Sequence, residues 1–376
     1  MALTKYTLGD LLARNSEHND ELQYGAENVR GVLNAKGISN TKVSVEGRDL
    51  SKFLVVRPGG FIFNHRVHDK LGLGYNTSDE VYIFTNDYVA FYVKPEIKDT
   101  VLLPDYLYMW FLRSEFDRYM LFKTYGSATL FFNWDNMCEL EITLPNVSVQ
   151  QKYVDIYNAM VANQQSYENN LAETKKACDM FYDKCKQSNL THISSLVEVN
   201  NKKNINRKYG FNELRGISDK NRFSQTTADV DENALEKYLV IEKGEFAVNF
   251  MCLGNWGRFY LAYNDSNENL IVSPACSALR IKTDSDLNPY YFFYLLQRDE
   301  FQRHCVFVGD GNTRGGINAN DFGTIKIPLI ERSQQDMLAK LFQAYESRKD
   351  INEKLKKQIK DICPILIRGS LEEGKS

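Results

Sequence analysis

The second half of the chain repeats the first at an offset of 185 residues. Similar residues recur at this offset in many separate stretches, which excludes chance as the explanation. The matched stretches are Leu8, Leu11 and Leu12 with Ile193, Leu196 and Val197, Asn19 with Asn204, Tyr24-Gly25 with Tyr209-Gly210, Arg30-Gly31 with Arg215-Gly216, and residues 52–56 with 237–241. Later matches, residues 142–145 with 325–328 and Gln150-Gln151 with Gln334-Gln335, predict that the offset shortens by one or two residues. The chain is therefore a duplicated unit.

Each copy ends in a segment whose apolar and aromatic side chains recur every 3.5 residues, the spacing of a packed helix seam. The first helix is predicted from Ser148, capped by that residue with Gln151 reaching back, to about Gln187. The second begins at Ser333 and is predicted to stop at Pro364. The predicted seam residues are Tyr153, Tyr157, Met160, Gln164, Tyr167, Leu171, Thr174, Cys178, Phe181 and Cys185 on the first helix, and Leu338, Leu341, Tyr345, Arg348, Asn352, Leu355, Ile359 and Ile362 on the second.

Polar side chains occupy four of these seam positions, Gln164 and Thr174 on the first helix and Arg348 and Asn352 on the second. Polar seam residues lower stability but select register and partner. We therefore expect the two helices to pair with each other, antiparallel, within one chain. A homodimeric coiled coil is the alternative.

The blocks before the helices contain short β-branched and aromatic runs separated by Gly, Asn and Asp, a pattern typical of strands. Strands are predicted at residues 53–56, 60–64, 81–85 and 89–94, and in the second copy at 238–241, 245–251 and 277–282, with one helix per copy at 104–120 and 289–306. The expected fold is α+β with pseudo-two-fold symmetry. Its expected segments are a domain at 1–147, a helix at 148–187, a second domain at 188–332, and a helix and tail at 333–376.

The bulk composition fits a globular chain of two domains, because 43% of the 376 residues are hydrophobic and 12% are aromatic. The net charge of −3 argues against a chain that coats nucleic acid, so any DNA binding must come from local patches or partners. No apolar run approaches the ~20 residues of a membrane span, and the chain starts without a signal-peptide pattern. The seven cysteines form no C-x-x-C pair, so reduced thiols and a cytoplasmic location are expected.

Sequence signals for catalysis are weak, and no catalytic or metal-binding residue is assigned. His65 and His68 are three residues apart, but no cysteine or acidic cluster completes a metal site. The glycine-rich loop at residues 309–316 has neither a Walker lysine nor dinucleotide-binding spacing, and its counterpart at 125–129 loses most of the glycines. Such divergence between copies suits a surface that reads different targets. The loop residues Asn312, Thr313 and Arg314 are therefore candidate DNA contacts.

A second candidate surface is the stretch 201–208, which holds four cations, no acid and several amides. These groups suit phosphate and base-edge contacts, although a solvated loop is the alternative. Its first-copy counterpart, 16–23, is acidic instead. Arg30 and Arg215 recur before glycine in both copies, either as phosphate clamps or as structural ion pairs. The candidate DNA contacts in the stretch 201–208 are Lys202, Lys203, Asn204, Arg207 and Lys208.

The aromatic stretch 106–116 is interpreted as core rather than as a stacking platform.

The order of domain, helix, domain and helix resembles the specificity subunit of a type I restriction–modification system. The likeness is carried by Leu8-Gly9-Asp10-Leu11 with its echo at 193–197, by the Lys-Phe/Tyr-Leu-Val…Gly…Phe…Asn segments, and by Ile-x-Leu/Ile-Pro followed by Gln-Gln. It covers essentially the whole chain and lies in the architecture rather than in one diagnostic motif. The loops ending at Trp134-Asp135 and Asn320-Asp321 differ, so individual base contacts are not carried over.

This resemblance implies that each domain reads one half of a split double-stranded DNA target while the helix pair sets the gap. It also implies two methylation subunits that bind S-adenosylmethionine and an ATP-driven restriction and translocase subunit, the chain itself being non-catalytic and without a cofactor. A spacer of roughly 46–57 Å spans about 14–17 base pairs. The alternatives are a stand-alone DNA-modifying enzyme or nuclease with a duplicated fold, and a protein-binding scaffold.

Overall fold

The computed structural model describes residues 3–41, 44–126, 130–185, 190–226, 228–251, 259–308 and 317–375. The chain divides into two compact units. The first unit comprises Met1–Ser166 and Ile351–Ser376, and the second comprises Tyr167–Asp350. Each unit thus combines one globular domain with a part of each long helix, whereas the segments expected from the sequence keep the helices whole.

The first unit contains a four-stranded antiparallel sheet in the order β2-β10-β6-β8 and the two-stranded pairs β1-β12, β3-β4, β5-β9 and β7-β11. Its strands are β1 Thr4–Thr7, β2 Leu12–Asn15, β3 Arg30–Val32, β4 Ile38–Asn40, β5 Leu54–Val56, β6 Phe61–Asn64, β7 Arg66–Val67, β8 Leu73–Tyr75, β9 Tyr82–Phe84, β10 Tyr88–Val93, β11 Leu130–Phe131 and β12 Glu141–Leu144. Its helices are α1 Leu8–Leu11, α2 Pro104–Phe111, α3 Ser114–Lys123, α4 Trp134–Cys138 and the beginning of α5 Val147–Cys185, with a 3₁₀ turn at Ala26–Asn28.

The second unit contains a four-stranded antiparallel sheet in the order β14-β21-β18-β19 and the pairs β13-β22, β15-β16 and β17-β20. Its strands are β13 Leu190–His192, β14 Val197–Val199, β15 Gly216–Ile217, β16 Phe223–Ser224, β17 Leu239–Ile241, β18 Phe246–Asn249, β19 Tyr260–Tyr263, β20 Leu270–Val272, β21 Ser277–Ile281 and β22 Lys326–Pro328. Its helices are α6 Ile193–Leu196, α7 Pro289–Gln297, α8 Asp299–Val308, α9 Ala319–Thr324 and the beginning of α10 Arg332–Glu373, with 3₁₀ turns at Ile205–Arg207 and Glu232–Lys237.

The two units repeat one strand order, which confirms the α+β fold and the duplication. In each central strand, alternate side chains enter different apolar clusters because successive residues of a strand point to opposite faces. Phe61 and Phe63 of β6 enter the main core of the first unit, while Ile62 enters a smaller cluster behind the sheet. Phe246 and Ala247 of β18 divide in the same way in the second unit.

The repeat offset stays at 185 residues through β12 and β22, so the predicted shortening is wrong. The amide of Leu8 donates to the carbonyl of Leu140, and the amide of Ile193 donates to the carbonyl of Ile325, at 2.8 and 2.9 Å. These pairs correspond at the unchanged offset. The apparent slip came from aligning the prolines Pro145 and Pro328, which occupy different positions in the two copies.

Antiparallel packing of the two long helices is confirmed within each unit. In the first unit, Lys152 near the start of α5 forms an ion pair of 2.8 Å with Glu373 at the end of α10. In the second unit, Arg348 donates to the hydroxyl of Thr174 at 3.4 Å. Every predicted seam residue is buried or half-buried except Arg348, which is exposed. Packing within one chain therefore accounts for the seam, and the homodimeric alternative is not needed.

The structure corrects the predicted cap of α5 and the predicted end of α10, while the predicted end of the first helix, about Gln187, lies outside the described residues. At the start of α5, the side chain of Asn146, rather than Ser148, accepts the amide of Val149 at 2.9 Å. The Ser148 hydroxyl donates to the same Asn146 oxygen at 2.7 Å. Gln151 donates to Asp155 instead of reaching back. The capping function therefore lies two residues earlier than the sequence interpretation placed it.

Helix α10 continues through Pro364 and ends at Glu373. A proline inside a helix costs about 3 kcal/mol or more. Cys363, Leu366 and Ile367 are buried in the core of the first unit, and burial of a large apolar side chain contributes about 1.5–3 kcal/mol. Tertiary packing of the last turns thus offsets the local cost of the proline.

The single aromatic helix predicted in each copy is two helices. The break falls at Arg113 between α2 and α3 and at Arg298 between α7 and α8, where the backbone is extended with ψ of 146° and 135°. The Arg113 guanidinium lies 4.4 Å from the ring centre of Trp110, and that of Arg298 lies 4.1 Å from the ring centre of Tyr182. Leaving the helix allows each arginine to stack on an aromatic ring. No helix in the described ranges is long and apolar enough to cross a membrane.

Candidate nucleic-acid interface

The cationic stretch of the second unit folds around a buried asparagine. Asn204 donates from its side chain to the carbonyls of Tyr209 and Leu235 at 2.8 and 3.1 Å and accepts the amide of Tyr209 at 3.0 Å. Asn19 forms the equivalent bonds to Tyr24 in the first unit. Asn204 was a candidate DNA contact, and the structure corrects this assignment. Its amide is already used to close the loop, so it cannot face a nucleic acid.

The four cations around Asn204 are exposed. Two of them make contacts inside the loop region: Arg207 donates to Asn233 at 3.1 Å, and the Lys208 ammonium lies 5.4 Å from the ring centre of its neighbour Tyr209. Arg207 also has a positive φ of 52°, which turns the chain sharply at this point. Within the described part of the chain, Lys202 is the only one of the four that pairs with a carboxylate. The loop therefore presents net positive charge to solvent.

An ion pair with opposite polarity occupies the same position in the two units. In the first unit Glu17 accepts from Arg57 at 2.6 Å, and in the second unit Lys202 donates to Glu242 at 2.7 Å. Both residues of the second pair follow those of the first by 185 positions. The hydrogen bond from Lys202 lowers the pKa of Glu242, and the same bond raises the pKa of Lys202. The scaffold is thus retained while the acid and the cation of the ion pair beside β2 and β14 exchange places.

Arg30 and Arg215 serve the same local contact in both units. Each donates from Nη1 to the carbonyl three residues earlier and to the carbonyl of the preceding residue, at 2.5 and 3.0 Å for Arg30 and 2.6 and 2.9 Å for Arg215. Arg30 also lies over the ring of Tyr82 at 4.4 Å. These bonds favour a structural role over a phosphate clamp, because Nη1 of each guanidinium already holds two backbone carbonyls.

The other residues considered in the sequence are the glycine-rich loop, the aromatic stretch and possible metal ligands. Asn312, Thr313 and Arg314 lie outside the described residues. The aromatic stretch 106–116 is core, as expected, because Tyr106, Phe111 and Phe116 are buried. Among the described residues, no group of three or more His, Cys, Asp or Glu side chains is placed to hold a metal ion.

The sequence interpretation missed a pair of buried glutamines that join each domain to its long helix. Gln150 accepts the amide of Leu103 at 3.0 Å and donates to the carbonyls of Val101 and Pro145, both at 2.8 Å. Gln335 bonds the three equivalent backbone groups in the second unit. Each copy carries a Gln-Gln pair in its sequence. Matching the pairs residue by residue gives an offset of 184, whereas the buried members Gln150 and Gln335 lie 185 residues apart. These glutamines fix the helix to the loop that starts the aromatic helix.

No protein-family model matches the chain, and no curated protein matches it by sequence. Among solved structures, the S subunit of a type I restriction–modification system from M. genitalium aligns with a TM-score of 0.63 and 11% identity, covering 98% of this chain and 96% of that one. An HsdS subunit from Thermoanaerobacter tengcongensis aligns at 0.38 with 10% identity, covering 98% and 96% of the two chains. A chain from a structural study of complex assembly in a type I R-M system aligns at 0.44 with 15% identity, covering 98% of each chain. The first of these alignments shows that the chain has the fold of a type I restriction–modification S subunit.

Proposed function

We propose that the chain is the DNA-specificity subunit of a type I restriction–modification complex and that each unit reads one half of a bipartite target. The observation that carries this proposal is the inverted ion pair on a repeated scaffold, Glu17–Arg57 against Lys202–Glu242. A duplicated catalytic site would keep its chemistry in both copies. Two domains that recognise different DNA sequences would instead keep the same buried scaffold and differ in their exposed side chains.

The buried contacts that are equivalent in the two units also support a constant scaffold with variable surface loops. Asn19 and Asn204 close equivalent loops, and Gln150 and Gln335 anchor equivalent helices. These contacts are buried and make no use of solvent-facing atoms. They hold the loops in a constant frame, so that substitutions on the loops change what is read without changing the fold.

The cations Lys202, Lys203, Arg207 and Lys208 supply the chemistry for contacts to DNA phosphates. Such contacts release condensed counterions, so binding falls steeply as salt concentration rises. They position a protein on the duplex without reading sequence. Because the chain has a net charge of −3, we propose that partner subunits complete the clamp around the DNA.

The proposed partners are two methylation subunits, which would bind S-adenosylmethionine, and an ATP-driven restriction and translocase subunit. In this arrangement the chain itself transfers no methyl group and cuts no DNA. The span between the half-sites is proposed to follow from α5, whose residues up to Ser166 belong to the first unit and whose residues from Tyr167 belong to the second.

Reconstitution tests this proposal directly. Purified chain, methylation subunits, and the two together are incubated with DNA and radiolabelled S-adenosylmethionine. Methyl transfer is expected from the mixture, and neither component alone should give sequence-specific transfer. Methyl transfer or cleavage by the isolated chain would instead indicate the stand-alone enzyme. Absence of DNA binding by the chain, with and without methylation subunits, would indicate the protein-binding scaffold.

A further inference from the structure

The solvent-exposed faces of α3 and α8 carry nearly the same residues. Five positions are exposed on both helices: the first pair, Ser114 and Asp299, differs, and of the other four positions three are identical at the 185-residue offset and one exchanges one aliphatic side chain for another. All eight side chains at these four positions are exposed. The set, called here the repeated helix face, consists of Glu115, Arg118, Leu121 and Phe122 in the first unit and Glu300, Arg303, Val306 and Phe307 in the second.

Folding does not account for this face. Phe122 is 82% exposed and Phe307 is 86% exposed, so neither ring contributes to a core. On the buried side of the same helices, Phe116 is retained as Phe301 while Met120 is replaced by Cys305. Exposed residues elsewhere have changed as well, as the inverted ion pair beside β2 and β14 shows. Retention of two exposed phenylalanines therefore calls for a ligand that both units share.

A groove adjoins the repeated helix face in each unit. Its volume is about 400 Å³ in the first unit and about 500 Å³ in the second, and Glu115 and Glu300 line the respective grooves. The long-helix wall of the first groove carries Ile365, which is 65% exposed. The residue at the equivalent position of the second unit, Met180, is 53% exposed. Exposed apolar side chains thus recur at equivalent positions of the long helices, Ile365 lining the first groove and Met180 lying one residue beyond Asp179, which lines the second.

The chemistry of the face favours a protein over DNA. A carboxylate, a guanidinium and an apolar pair follow one another along the helix. Glu115 pairs with Arg118 at 3.8 Å and Glu300 pairs with Arg298 at 3.5 Å, so the acids offset the positive charge that DNA phosphates would need. Aromatic and arginine side chains are enriched at the energetic centres of protein interfaces. Clustered phosphate contacts would require cations without the interspersed acid.

A second copy of this chain is also a poor occupant. A face that bound itself would occur twice on every molecule, and two such contacts per molecule would build rings or open-ended assemblies of this chain. A different protein that binds once to each unit avoids this outcome. Its two copies would be identical, because the two faces are nearly so.

We infer that Phe122 and Phe307 anchor two copies of one protein partner, one on each unit. The partner presents an apolar pocket for the phenylalanine and an acid that can pair with Arg118 or Arg303. Resting on the proposed function, the inference takes this partner to be the methylation subunit. The surface that is alike in the two units then binds the common partner, while the surfaces that differ read the half-sites.

The test uses full-length chain and the methylation subunit of the same restriction–modification system. Light scattering gives the stoichiometry of the complex, and calorimetry gives the affinity, for wild type, Phe122→Ser, Phe307→Ser and the double variant. Phe211→Ser is the matched control, because Phe211 is 52% exposed but its counterpart is Ala26. Each single variant should weaken one of two sites by about 30-fold or more, as expected for an interface hot spot. The double variant should weaken both, and the control should bind two copies normally.

The outcomes separate the two proposals. Wild-type chain that binds no methylation subunit overturns both. Wild-type chain and double variant that bind two copies with equal affinity overturn this inference and leave the proposed function standing. A double variant that retains methylation subunits but loses DNA affinity assigns the face to DNA and also overturns the inference. Melting temperatures monitor folding, and an Arg118→Glu, Arg303→Glu double variant, altered only at exposed positions, should show the same loss of partner binding.

Discussion

Gln164 of α5 donates a hydrogen bond of 2.9 Å to the side-chain oxygen of Asn352 of α10, and both side chains are buried in the helix seam of the first unit. A buried amide pair is matched in only one register of two antiparallel helices. Sliding either helix by one turn would separate the two amides and remove this buried hydrogen bond. The pair therefore selects the register, as polar residues do in other coiled coils.

Asn352→Leu should lower the free energy of unfolding by about 1–3 kcal/mol, because it leaves the Gln164 amide without this buried partner. The double variant Gln164→Leu, Asn352→Leu should recover much of the stability, since both polar groups are then removed together. Urea unfolding of the wild type, the two single variants and the double variant gives the coupling energy. Additive effects in this cycle would show that the two amides do not interact.

Adjacent glutamines provide a second test with an internal control. Gln150→Leu removes three hydrogen bonds from buried backbone groups and should cost at least about 2 kcal/mol of stability. Gln151→Leu changes an exposed side chain one residue away and should stay within about 0.5 kcal/mol. Thermal melting of the two variants distinguishes the positions. Equal effects would contradict the anchoring role given to Gln150.

The cationic loop should govern non-specific affinity for DNA. Replacing Lys203, Arg207 and Lys208 by alanine should weaken binding to all sequences alike and lower the slope of log affinity against log salt by about 1 for each phosphate that is no longer neutralised. Filter binding at several salt concentrations measures this slope. Glu17→Ala, in the acidic counterpart of the first unit, is the control and should not lower the slope. Weaker binding to one sequence only would assign these cations to base reading.

The ion pair of the second unit predicts a pH dependence. The hydrogen bond from Lys202 holds the pKa of Glu242 below its ordinary value of 4.5. A carboxylate with a lowered pKa in the folded state contributes stability that is present above its ordinary pKa and is lost as the pH falls through the folded-state value. The melting temperature of wild type should therefore exceed that of Glu242→Gln above pH 4.5, and the difference should shrink at lower pH. Lys202→Ala should reduce the same difference.

The sequence predicts the helix seam well because the 3.5-residue spacing of residues such as Tyr157 and Ile359 depends only on their positions in the chain. Helix ends depend on context that spacing does not carry. Asn146 and Ser148 are both suitable caps, and only the folded backbone decides between them. Pro364 forbids a helix locally, yet burial of Leu366 and Ile367 continues it.

Some features of the candidate interface could likewise be predicted from the sequence, and others depend on contacts between distant residues. Net charge on the 201–208 loop follows from composition, so its exposed cations could be foreseen. The burial of Asn204 could not, because it bonds the carbonyl of Leu235, which lies 31 residues away. Arg30 and Arg215 were open between two roles until their carbonyl partners were known. The sequence does not predict the repeated helix face, because an apolar helix residue such as Phe122 or Phe307 is expected to be buried and its exposure is known only from the structure.

Two units of one scaffold are proposed to read two unlike half-sites at a fixed distance. The most direct measurement is methylation, by the reconstituted complex, of a DNA library with randomised half-sites and varied gaps. We expect two short, unrelated sequences separated by one gap length, because a change of one base pair rotates a half-site by about a tenth of a turn. Exchange of the second unit's domain should change one half only. A continuous palindromic target, or methylation that is indifferent to gap length, would show that the two units do not read separate half-sites at a fixed distance.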